Sequence, residues 1–151
     1  MAMPYTAQVA ALQMRQVLVR HLAPYGFSAQ VDVDYRVQPQ ERYQLRITCA
    51  PVSKEADAYR ALTAVRAAIR EVALTPALEG DVRAWKALVL AGTERTMSTA
   101  PGFVATLVGR YAANKDITSR YAQSIEGISP VKVCDFLSSM ASGGRIEYII
   151  P

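Results

Sequence analysis

A chain of 151 residues, 51% hydrophobic and 20% charged, is long enough for one buried core and too apolar for a disordered segment. No apolar run approaches the ~20 residues that span a bilayer, and the opening MAMPYTAQ has no basic stretch leading into an apolar one, so no signal peptide is expected within it; the compartment stays open. The net charge is +4, but the arginines are dispersed, without dense runs or aromatic interleaving, so neither a nucleic-acid nor a membrane partner is expected.

Tyr5 to Leu22 reads as a helix, with Pro4 in its first turn and Val9, Leu12, Val17 and Leu22 at roughly helical spacing. Ala23-Pro24-Tyr25-Gly26 stops it. From Phe27 the alternation is strict: Phe27, Ala29, Val31, Val33, Tyr35 and Val37 share one face, and Ser28, Gln30, Asp32, Asp34, Arg36 and Gln38 the other. After the break at Pro39, Tyr43, Leu45, Ile47 and Cys49 alternate with Arg42, Gln44, Arg46 and Thr48. A period of two on both sides of a turn describes a long antiparallel hairpin with one apolar face.

Ser53 is the expected cap of a second helix, with Glu55 and Asp57 in its first turn and Ala58, Leu62, Val65, Ile69 and Val72 as its buried stripe. Thr75-Pro76 ends it. Asp81 is the expected cap of a third helix that buries Val82, Trp85, Leu88 and Val89 and runs to about Met97. Pro101 opens a short helix to about Ala112. Asp116 begins another, carrying Ile117, Tyr121 and Ile125 to Gly127, and Ser129-Pro130 starts a last one to about Ala141. Gly143-Gly144 then leads into Arg145–Ile150, a third strand by its β-branched and aromatic content. Strands and helices segregate, so the fold class expected is α+β, a single domain over residues 1–151 with an antiparallel sheet (the hairpin plus the C-terminal strand) covered on one face by helices. Three strands make a thin sheet for so many helices.

Chemistry is sparse. With one histidine, His21, a histidine-based zinc site cannot be assembled, and neither H-E-x-x-H nor H-x-x-E-H occurs. No G-x-S-x-G, Walker loop or G-x-G-x-x-G is present. Cys49 and Cys134 sit among apolar neighbours at a spacing that matches no metal or redox motif, and read as buried small hydrophobes.

The stretch VLVRHLAPYGFSAQV, followed by the hairpin, resembles the L-R-E-x-x-G-L-A-Y-S-V corner in the second-half domain of insulinase/pitrilysin-type zinc metallopeptidases. DVRAWKALVLAGTERT (81–96) is similar to that family's long helix after the crossover. Ile125–Val133 is similar to its I-x-x-V-T-x-x-D-V link, and Ile146–Pro151 to its terminal strand. The resemblance implies a metallopeptidase-homologous fold, like that of the mitochondrial processing peptidase, in which paired domains close around a peptide. The zinc belongs to the partner domain, and this half lacks catalytic residues and metal ligands. The family's second half contributes an arginine and, seven residues on, a tyrosine that contact substrate. Arg20 stands at the arginine position and Phe27 at the tyrosine position, with Tyr25 two residues away. Phenylalanine removes a phenol able to hydrogen-bond a carbonyl or oxyanion.

The resemblance also implies that strands precede the first helix in the intact domain, so the chain reads as a fragment of a larger peptidase whose partners are a homologous zinc-bearing domain and a peptide. An unpaired sheet edge, or an uncovered sheet face, would also favour a homodimer. The expected function is the non-catalytic, chamber-forming domain of a zinc metalloendopeptidase, inactive alone. The alternative is a catalytically inactive scaffold of the same fold.

Overall fold

Residues 3–36, 39, 40, 42–112 and 120–150 are described by a computed structural model of the chain. Beyond Pro4, whose missing N–H falls in the first turn where no helical partner exists, nothing interrupts helical bonding until Leu22. The segment is one helix, α1 (Met3–Leu22). Ala23–Tyr25 tightens into a single 3-10 turn around Pro24, and Gly26 reverses the chain at φ 69°. A side chain is strained there, and a Cβ would also stand 2.6 Å from Ser53 Oγ. The Gly26 carbonyl accepts the Val52 N–H at 2.8 Å, which closes the open end of the hairpin.

The hairpin is β1 (Phe27–Arg36) and β2 (Arg42–Pro51), paired antiparallel from Phe27 opposite Pro51 to Arg36 opposite Arg42. Its apolar side chains, including Val31 opposite Ile47 and Val33 opposite Leu45, pack on the helical core yet are only partly buried. Tyr35 stacks on Tyr43 at 4.8 Å, and Tyr43 meets Phe136 edge-on at 5.6 Å. The Gly26–Val52 bond sets the phase of the ladder. Hydrogen-bonded pairs fall at Ser28–Ala50, Gln30–Thr48 and Asp32–Arg46, so the main-chain groups of Val31, Val33, Leu45 and Ile47 point outward to the sheet edges. Among the described residues no third strand joins either edge.

Behind the hairpin follow α2 (Ala58–Leu74), α3 (Glu79–Met97), α4 (Ala100–Ala112), α5 (Tyr121–Glu126) and α6 (Pro130–Ser142). α1 is the central element, packed against β1, α2, α3 and α6. Its burial runs well beyond one stripe: Val9, Met14, Leu18 and Leu22 are fully enclosed, and so are Ala7, Ala10 and Gln13. Small residues let neighbouring backbones approach, and α2 answers with Ala61, Ala64, Ala68 and Val72 on its inner face. α6 starts as its sequence dictates, with Ser129 Oγ accepting the Lys132 N–H at 3.3 Å and Pro130 in the first turn. No helix of the described residues is long and apolar enough to cross a membrane.

Several expectations need correction. Arg145–Ile150 forms no strand. The segment is fastened over the outer flank of α2 instead, where Arg66 grips Glu147 through Nε (3.1 and 3.2 Å) and Nη2 (2.5 Å) and Arg145 adds a bond of 2.9 Å. β-propensity expresses fit to a pleated, half-buried surface, and among the described residues the segment pairs with no strand that would supply one. Asp57, not Ser53, caps α2, its carboxylate accepting the Tyr59 and Arg60 N–H groups at 3.0 and 3.2 Å. The innermost stripe of α2 is the alanine row; Leu62, Val65 and Ile69 flank it, only partly buried. α3 begins before Asp81, which lies in its first turn with Glu79, and Leu88 is exposed while Val82, Trp85 and Val89 are buried. Val37, Asp116 and Ile117 lie outside the described residues.

Two substitutions test the packing. Leu18→Ala should cost about 3 kcal/mol, the loss of a fully enclosed side chain plus its cavity. Gly26→Ala should cost about 2 kcal/mol from the left-handed backbone and the Ser53 contact. Both are read from denaturant midpoints, and a Gly26→Ala protein as stable as the parent would show that the corner is not held as described.

Candidate functional site

The corner between α1 and β1 carries the residues the sequence marks. The last turn of α1 presents Arg20 and His21, which suits its carbonyl end, where cations are favoured. Both reach the same carboxylate on α2: Arg20 Nη2 donates to Glu71 Oε1, and His21 Nε2 lies 2.5 Å from Glu71 Oε2. Each oxygen of Glu71 thus meets its own basic side chain. The carboxyl is held below the usual range, first by the hydrogen bond from His21 and then by Arg20, against the opposing pull of partial burial.

The Arg20 side chain is 65% exposed. Its guanidinium has five N–H donors, and Glu71 fixes its direction while leaving most of it facing water. Tyr25 stands in the 3-10 turn and is 36% exposed. Phe27 behaves differently: it opens β1 opposite Pro51 and packs on the hydrophobic core. Sequence proximity thus places all three at one corner, with Arg20 and Tyr25 reaching water and Phe27 turned to the interior.

Glu71 is the residue sequence reading missed. A lone acid on a helix whose other outward charges are Arg60, Arg66 and Arg70 is a signal of sorts, but nothing local shows that the end of α2 meets the end of α1. Arg66 and Glu147 escaped for the same reason. Among the described residues no group of three or more histidines, cysteines or acids is placed to hold a metal ion. Cys49 and Cys134 are free thiols. Burial raises the pKa of both, with Asp135 adding to the effect at Cys134. Cys134 Sγ points at the Val72 and Ala73 carbonyls, 3.7 and 3.6 Å away, which suits a packing role. A scan against protein-family models and a search of curated proteins return no match for this chain.

The Glu71 cluster gives a pH-dependent expectation. A carboxyl that ionises more easily in the folded than in the unfolded chain stabilises the fold above its unfolded value of about 4.3, and that contribution is lost as the pH falls through the lower folded value. Because the cluster is partly in water, Glu71→Gln should cost only about 0.5–1 kcal/mol at pH 7. The gap to the parent should narrow as denaturant midpoints are followed down from pH 5 to pH 3. A penalty that is the same at both ends would mean the charge of Glu71 is not what matters.

Proposed function

We propose that this chain is the substrate-chamber-forming, non-catalytic domain of a zinc metalloendopeptidase of the insulinase type, and that its work is to hold an extended peptide. The observation that carries the reading is the hairpin: two ten-residue strands with no third strand on either edge among the described residues. An edge of outward N–H and C=O groups binds main chain, giving affinity with little dependence on peptide sequence. Arg20, exposed and oriented by Glu71 at the end of α1, supplies a directed cation at the corner that leads into the hairpin, for a carbonyl or carboxylate of the peptide. Tyr25 lines the same corner. The zinc, and the water it activates, would be held by a homologous partner domain.

One observation favours the alternative of a scaffold with catalysis lost. At the position where the resembled family has its tyrosine, Phe27 offers no phenol, and it packs inward on the core.

The two readings separate in a reconstitution. Peptide cleavage is measured with this chain alone, with a zinc-bearing homologous domain alone, and with the two combined. The peptidase reading expects activity only in the combination, and a fall in kcat/KM of at least about tenfold for Arg20→Ala, the value of a charge-assisted hydrogen bond, with the fold intact. Stable assembly without cleavage would establish the scaffold reading instead.

A further inference from the structure

The segment Arg145–Ile150 has the alternation of a strand but forms none, and among the described residues the hairpin's sheet has only two strands. Ile146, Tyr148 and Ile150 are 89, 77 and 79% exposed and alternate with Arg145, Glu147 and the less exposed Ile149. That is the alternation of the hairpin itself, whose apolar face is only partly covered. A chain does not ordinarily leave such a run of side chains in water.

The charges choose the edge and the register. An antiparallel alignment on β2 that places Glu147 opposite Arg46 sets Ile146 opposite Ile47, Tyr148 opposite Leu45 and Ile150 opposite Tyr43. All of these apolar partners belong to the face that packs on the core. Arg46 already faces Asp32 of β1, so Glu147 completes a row acid–base–acid across three strands. The main chain agrees with the side chains. Leu45 and Ile47 are the β2 residues whose N–H and C=O groups point outward, so they would form the hydrogen-bonded pairs with Tyr148 and Ile146. Glu147 and Arg46 would form the closer, non-bonded pair, where side chains interact best. On β1, by contrast, antiparallel alignments that set Glu147 opposite Asp32 or Asp34 bring like charges together.

The segment does not pair with its own hairpin. Glu147 is held by Arg66, which projects from the flank of α2 opposite the buried alanine row, and α1 is packed between α2 and the hairpin. A second copy faces no such obstacle. We propose that this chain dimerises by reciprocal strand exchange, Arg145–Ile150 of each copy adding to β2 of the other, with Gly143-Gly144 as the hinge and Arg46 replacing Arg66 as the partner of Glu147. The arrangement is two-fold and closed, so it yields a dimer and not a fibre.

The test is sedimentation equilibrium of the whole chain over a wide concentration range, with four variants. Arg46→Glu and Glu147→Arg should each weaken the dimer at least about tenfold, since a reciprocal interface carries the pair twice, and the double variant should restore it. Tyr148→Pro removes the N–H that bonds Leu45 and should leave a monomer. A parent chain that is monomeric at every concentration overturns the proposal. So does a dimer that survives Tyr148→Pro, and a dimer lost in the single charge reversals but not regained in the double one overturns the register.

Discussion

The apolar face of the hairpin has to be taken out of water, and α1 is the element that does most of this. The rest of the structure follows from that constraint. α1 must lie flat against β1, so the chain needs a sharp corner after Leu22, and Gly26 provides it in a conformation other residues avoid. With one side of α1 given to the hairpin, its remaining sides are covered by α2, α3 and α6. Alanines on both α1 and α2 allow that close approach, at the expense of the apolar area each contact buries. The core therefore belongs to one helix surrounded by others, with the hairpin as its outer wall.

Among the described residues that wall has two strands, and its open edges are what the proposed function rests on. An isolated two-stranded sheet is marginal, and this one keeps its apolar side chains only half-covered. Open edges invite an extended chain, whether a peptide or the tail of another copy. On the two proposals the occupants need not compete: the acid row of β1 and the arginines of β2 differ in charge, so a tail that carries Glu147 would suit β2 and leave β1 for a peptide. Arg20 belongs to the same economy of charge, since Glu71 holds it in place without satisfying all of its donors.

Much of this was legible in the residues. Period-two alternation defined the hairpin and its inward face, Ser129-Pro130 marked the start of α6, and Cys49 and Cys134 were placed among apolar neighbours where they stand. What the sequence hid was long-range. Hydropathy reads Ala, Thr and Gln as neutral, so a helix buried well beyond one side, as α1 is, looked one-sided. On α2 the larger side chains drew attention from the alanine row that packs deepest. Arg145–Ile150 has the composition of a strand, yet pairing depends on a neighbour that no local pattern can supply. At the candidate site Arg20, Tyr25 and Phe27 were found through a resemblance to a family, whereas Glu71, which orients Arg20, required the packing of α2 on α1.

The most direct test of this account is amide hydrogen exchange along the hairpin, at a concentration where the chain does not self-associate. Val31 and Val33 on β1 and Leu45 and Ile47 on β2 should exchange freely, while Gln30, Asp32, Arg46 and Thr48, bonded across the pair, should be protected. Such a split would establish two open edges on a two-stranded sheet. Uniform protection along either strand would show that its edge is already occupied, and the surface on which both the peptide-binding and strand-exchange readings depend would not exist.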